Sequence, residues 1–160
     1  MSALRQRRVE DLRKIRDLAR RSGDRIAITR VDGDPIQRIA LLIRANTVGS
    51  PAYPRVRADR IGVVIELPAR FPFEPPGARV VTPILHPNIW SHGQICLGSV
   101  WIKTHGLDLL VRRIVAIVTF DRDGVNPHSV ANGAAMAWYQ AALARHPGAF
   151  PTDRLTEQLQ

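Results

Sequence analysis

The chain carries a single thiol, Cys96, in the stretch HPNIWSHGQICLGSVW, eight residues after Asn88. A thiolate is reactive near neutral pH, so a cysteine on a partly exposed loop suits nucleophilic attack on an acyl carbon. Thioester chemistry passes through a developing oxyanion, and an asparagine amide is a suitable donor to it, which makes Asn88 the matching candidate. Each residue also has a plainer reading. A lone cysteine is commonly a small buried hydrophobe, and an asparagine after Pro87 commonly satisfies the backbone of a turn. His86, His92 and Cys96 lack the paired spacing of a structural zinc site, for no CxxC or HxxxH pair exists. Neither a glycine-rich phosphate loop nor a dinucleotide fingerprint is present, so neither a metal nor a cofactor is expected. A cysteine protease is disfavoured because the histidines near Cys96 share its own loop and no orienting partner is apparent.

The elements that must position these residues emerge from hydrophobic period. From Ser2 to Ser22, Val9, Leu12, Ile15 and Leu18 or Ala19 recur at helical spacing, with arginines on the other faces and Gly23 as the stop. Arg25 to Val31 and Ile36 to Ala45 flank a turn at Asp32, Gly33, Asp34 and Pro35, and Ile39, Leu41, Ile43 and Ala45 alternate as in a hairpin. Ile61, Val63, Ile65 and Leu67 share the face of a third strand, and Ala78 to Thr82 reads as a shorter fourth. Between Thr82 and Gly106 periodicity disappears among prolines and glycines, predicting a long structured loop around the thiol. Leu109 to Phe120, apolar on nearly every face and preceded by Asp108 as N-cap, suits a buried helix, although its β-branched residues also suit a strand. Val130 to Ala144, starting near Ser129 or Asn132, reads as a last helix ending before Pro147, and the C-terminal residues beyond it read as a polar tail. The order predicts one α+β domain: an N-terminal helix, a four-stranded antiparallel meander, the thiol loop, then C-terminal helices.

Composition narrows the classes of function. At 160 residues the chain fits one domain, and 45% hydrophobic with 23% charged residues is an ordinary globular composition. It shows no apolar run of membrane-spanning length and no signal-peptide core at its start, so a soluble cytoplasmic protein is expected. A formal charge of +9 raises nucleic acid or an acidic protein as a partner. The arginines are spread along the chain and the aromatics fall in loops or the last helix, which argues against nucleic acid. Only Lys14 and Lys103 are lysines, an arginine and alanine bias that reads as a GC-rich genome.

The stretch from Leu67 to Leu97, LPARFPFEPPGARVVTPILHPNIWSHGQICL, closely resembles the core of ubiquitin-conjugating enzymes. The resemblance rests on the Phe71, Pro72, Phe73 loop, the Pro75 and Pro76 pair, the His86, Pro87, Asn88 tripeptide, and Cys96 at the family's spacing from that asparagine. It implies that Cys96 accepts the C-terminal carboxyl of a ubiquitin-like modifier from an activating enzyme and passes it to a target amine. It also implies that Asn88 stabilises the oxyanion or holds the active-site loop, and that His86 and Pro87 shape that loop. An acidic or polar residue beyond the first helix after the cysteine is expected to orient the acceptor amine, and Asp121, Asp123, Asn126 and Ser129 are its candidates.

By the same resemblance, the N-terminal helix docks on the activating enzyme, with Arg5, Arg8 and Arg13 suited to an acidic surface, and Phe73 matches a position that contacts ligases. The partners implied are the modifier, the activating enzyme, a protein substrate and, where one is used, a ligase. Three features depart from the eukaryotic pattern. Trp101 is closer to the cysteine than usual, HGLD replaces the next loop, and Gly98 stands where an acidic residue is common. The short C-terminal part and the residue bias resemble bacterial members, of the kind encoded in antiviral operons. The alternative is an inactive module of the same fold that binds a ubiquitin-like protein, and the retained Cys96 argues against it.

Overall fold

In the computed structural model, residues 2–98 and 101–160 are described. Helix α1 spans Ala3–Arg21. Ser2 caps it by accepting from the Arg5 N–H, and Gly23, at φ +63°, terminates it in the left-handed region open to glycine. Leu12, Ile15 and Leu18 are buried as expected, but Val9 is about half exposed. The row facing the protein instead continues through Asp11 and Arg8, both buried. Asp11 accepts from Arg7 Nε at 2.7 Å and from the Leu107 N–H at 3.3 Å, so a polar contact fastens α1 to the next helix.

Four strands come next: β1 Ile26–Asp32, β2 Arg38–Thr47, β3 Ala58–Glu66 and β4 Gly77–Val80, in the order β1-β2-β3-β4 and antiparallel throughout. Register places Ile39 opposite Ile65, Leu41 opposite Val63 and Ile43 opposite Ile61. These alternate residues make one buried sheet face. Helices α1 and α2, the latter Leu107–Val118, cover that face with Leu12, Ile15, Leu18, Val111, Ile114 and Val115, so the main core is aliphatic apart from Phe71 and the Trp101 that packs against it. The segment that also suited a strand is therefore helical. Its N-cap is Gly106, and Asp108 lies inside the first turn, where its negative charge still favours the helix start.

After α2, Phe120 adopts φ +54° and redirects the chain, while Asp121 caps a short 3-10 turn over Arg122–Gly124. Helix α3 spans Gly133–Arg145, capped by the Asn132 side chain accepting from the Ala135 N–H. A second, smaller cluster forms there, in which Val48, Tyr53 and Phe120 pack with Trp138, Tyr139 and Phe150.

The C-terminal segment corrects the expectation of a polar tail. It forms α4, Leu155–Gln158, with Leu155 and Leu159 buried in the main core. Asp153 ion-pairs with Arg25 at 2.8 Å and accepts from the Asn46 N–H at 2.9 Å, fixing the segment across β1 and β2. Two apolar residues four apart are too few to raise a periodic signal in so short a helix. Among the described residues, no helix is long and apolar enough to cross a membrane.

Candidate active site

The segment between β4 and α2 is irregular but tied down on both sides. Ile95 donates to Ala78 O at 2.9 Å and Val80 to Gly93 O at 2.9 Å, which fastens the thiol strand along β4. The reversal at Trp90 to Gln94 requires Gly93, whose φ is +101° and whose missing Cβ would collide with the Val80 carbonyl. Ile89 and Ile95 form an isolated bridge and are both buried. Because side chains alternate along extended chain, inward Ile95 turns Cys96 outward, where it is half-buried.

Asn88 is the hub. Its backbone carbonyl accepts from the Cys96 N–H at 2.8 Å. Its side-chain Nδ2 donates to Asn126 O and Ser129 O, both at 2.9 Å, and its Oδ1 accepts from the Asn126 N–H at 2.8 Å. The residue is 2% exposed, so these bonds take all of its amide hydrogens in a dry setting. One residue thus joins the thiol loop to the segment before α3. Pro87 extends the joint, since its carbonyl accepts from Ala131 N–H at 2.8 Å and Asn132 N–H at 3.0 Å at the start of α3.

His86 is fully buried, its ring centroid 4.3 Å from that of Phe120. Its Nδ1 accepts from the Asn88 N–H at 2.9 Å, so the neutral ring carries its proton on Nε2. Burial pushes its pKa down to about 3, against the opposing influence of the Ile117 backbone. A ring held neutral in a closed site supports the loop and has no path for proton exchange with a reactant.

Of the four residues considered for acceptor orientation, Ser129 comes against the thiol, with Oγ 3.2 Å from Cys96 Sγ. Asn126 lies in the same joint through its backbone, while its side-chain Oδ1 accepts from the His128 N–H. Asp121 is occupied by its turn, accepting from the Asp123 N–H at 3.3 Å, and Asp123 is exposed. Sequence alone leaves these four level because it does not determine the register across the turn. Nor does it identify Phe120 as the floor of His86 or Pro87 O as the anchor of α3. The aromatic residues of that floor lie far apart in sequence and obey no period.

The peripheral candidates divide. Arg5 is half-buried and Arg13 exposed, and they pair with Asp34 and with Glu10 and Asp17. Arg8 is corrected: 3% exposed, it donates to Ile36 O at 2.5 Å, Pro68 O at 2.7 Å and Ala69 O at 3.2 Å, beside the Phe71 ring. It braces α1 against the sheet edge and presents nothing to a partner. Phe73 is 60% exposed, with Lys103 Nζ 5.3 Å from its ring centroid. Trp101 donates to Pro72 O at 2.7 Å, which fixes the proline loop from the side of the altered segment.

The ubiquitin-conjugating enzyme family model matches residues 57–145, which include Asn88 and Cys96. Similar curated proteins include ubiquitin-conjugating enzyme E2 T of Mus musculus, 64% identical over 64 residues, and of Xenopus laevis, 46% identical over 64 residues; each match covers 40% of this chain. The matched stretches span about a third of those relatives' length, 31% and 33%. A solved ubiquitin conjugating enzyme from Trypanosoma cruzi superposes with a TM-score of 0.66 at 22% identity, covering 95% of this chain and 96% of its own, a likeness of fold. With the family matched over more than half its length and its fold shared from end to end, the chain belongs to the ubiquitin-conjugating enzyme family.

Proposed function

We propose that Cys96 carries a ubiquitin-like modifier as a thioester and delivers it to a lysine of a protein substrate. The observation that supports this most is a half-buried thiol on a loop fixed by Asn88, with the Ser129 hydroxyl 3.2 Å away. In the first step the Cys96 sulfur attacks the thioester carbonyl carbon of the charged activating enzyme. A new C–S bond forms, the old one breaks, and the proton of the Cys96 thiol passes to the departing thiolate. In the second, a lysine amine attacks the same carbon. The C–N bond forms, the C–S bond breaks, one amine proton goes to solvent, and Cys96 is regenerated.

In this reading Asn88 acts by holding the loop. Both hydrogens of its amide are already donated to carbonyls, which leaves no free donor for an oxyanion. His86 and Pro87 support the loop. Ser129 is the group we assign to orienting the incoming amine, since its hydroxyl lies 3.2 Å from the sulfur that would carry the modifier. The lysine proton passes to water in this reading, and buried His86 is closed off from taking it.

The activating enzyme docks on α1 through Arg5 and Arg13 in the same proposal, and exposed Phe73 offers itself to a ligase. The arginine bias favours a bacterial cytoplasmic conjugation system of the antiviral kind. The test is incubation with candidate activating enzyme, modifier and ATP, resolved on nonreducing and reducing gels. The expected adduct vanishes with thiol reductant, is absent in Cys96→Ala and resists reductant in Cys96→Ser. Absence of an adduct while the activating enzyme charges itself with that modifier contradicts the reading.

A further inference from the structure

We infer that a basic groove along α3 docks an acidic segment of the protein that receives the modifier. The inference rests on the conjugating role proposed for Cys96 and names the chemistry of its substrate. The groove, of about 560 Å³, runs between the Pro51 to Arg57 loop and the outer side of α3. Its charged lining is Arg55, Arg57, Arg145 and His146, and no carboxylate lines it. All three arginines are exposed, and among the described residues none has a carboxylate within salt-bridge distance. On α1, Arg5, Arg7, Arg13 and Arg20 meet carboxylates of this chain, while among the described residues exposed Arg16 and Arg21 do not. Unmatched cations gathered around one concavity favour an anionic occupant through long-range attraction and charge complementarity.

The floor is rigid and already assembled. Tyr53 and Trp138 pack edge to face, Trp138 Nε1 donates to Pro51 O at 3.2 Å, and the Tyr53 hydroxyl donates to Ala149 O. Ala141 and Ala142 leave the space open, because a helix face of larger residues would fill it. Tyr53 is buried with Arg57 already over its ring, 6.0 Å from the centroid, and both rings pack against Phe150, which favours an extended acidic peptide over stacked bases.

The groove is also mechanically continuous with the thiol. The N-terminal end of α3 hangs on Pro87 O, one residue from the Asn88 carbonyl that holds Cys96. At about 1.5 Å per helical residue, Trp138 and Arg145 lie about 9 and 20 Å along the axis from Asn132. An extended chain covers about 3.3 Å per residue, so roughly three to six extended residues span those lengths along α3.

The experiment compares two fluorescent peptides, each with one lysine and, four residues away, either a run of four glutamates or a run of four glutamines. Fluorescence anisotropy on the uncharged protein reads binding, and discharge of the Cys96 thioester onto each peptide reads use. The expected result is tighter binding of the glutamate peptide by at least tenfold, weakening with added salt. That preference is lost in Arg55→Ala/Arg57→Ala/Arg145→Ala and retained in Arg16→Ala/Arg122→Ala, which removes exposed arginines elsewhere. Discharge should favour the glutamate peptide by a similar factor in the wild type and the double variant and not in the triple variant, with discharge to free lysine equal in all three proteins. Equal binding of the two peptides, or a preference that survives the triple substitution, overturns the proposal. So does displacement of the glutamate peptide by a single-stranded oligonucleotide that binds more tightly through the same arginines. Binding is read without the thioester, so failure of Cys96 to charge counts against the conjugating role and leaves the anisotropy result to decide the groove's ligand.

Discussion

The two hydrophobic clusters of this protein are built on different terms. Beneath the sheet, Ile39, Leu41, Ile43, Ile61, Val63 and Ile65 meet the apolar rows of α1 and α2 in an aliphatic core made by repetition. Beneath the thiol loop, Phe120, Tyr53, Phe150 and the ring of His86 form an aromatic floor from distant, non-repeating positions. Above that floor, side chain to backbone hydrogen bonds from Asn88 take the place of a strand ladder. The scaffold is thus held by area removed from water, whereas the site is held by a few directional bonds in a dry setting.

Perturbing each cluster should therefore give a different signature. Ile65→Ala, in the middle of the main core, is expected to cost about 2–5 kcal/mol in urea denaturation while leaving the proposed thioester chemistry intact in the protein that remains folded. Asn88→Ala strands two carbonyls and one N–H, and is expected to cost about 1–3 kcal/mol of stability with a larger proportional loss of transfer from Cys96. Comparable losses of stability and activity from both substitutions would break the contrast.

The aromatic floor adds a pH signature. The folded pKa of His86, about 3, lies below its ordinary value of 6.5, so the unfolded state binds the extra proton as pH falls through that window. Stability is present above about pH 6.5 and declines below it, by about 2 kcal/mol between pH 7 and pH 5. Denaturant curves at the two pH values check this, and the decline should flatten in His86→Gln. The smallest change in stability is expected for Ser129→Ala, within about 0.5 kcal/mol, because among the described residues its hydroxyl meets only the thiol. That variant should charge normally and transfer to lysine about tenfold more slowly in a single-turnover chase, the range of a modest positioning effect.

What can be read from the chain divides along the same line. The alternation of Ile39 to Ala45 and the spacing of Leu12, Ile15 and Leu18 announce the sheet and α1, since periodic burial is a property of sequence order. Asn88 and Cys96 are legible as a pair of residue types at a family spacing. Their joint to Asn126, Ser129 and Pro87 is not, because it runs between turns whose register depends on how Phe120 redirects the chain. Arg8 misleads for a related reason: an arginine on a helix suggests solvent, and only the fold brings the three carbonyls of Ile36, Pro68 and Ala69 around it. The C-terminal helix escapes sequence reading because Leu155 and Leu159 have no neighbours in sequence to make their burial apparent.

In the reading proposed above, Asn88 holds the Cys96 loop to the segment before α3. Amide hydrogen exchange of wild type and Asn88→Ala, followed at Cys96, Asn126, Ala131 and Asn132, tests it directly. Protection at these amides should fall together in the variant, with Ile43 and Ile65 in the sheet unchanged. Unaltered protection at all of them, in a variant that still transfers the modifier more slowly, would contradict that role and return Asn88 to the position of an oxyanion donor.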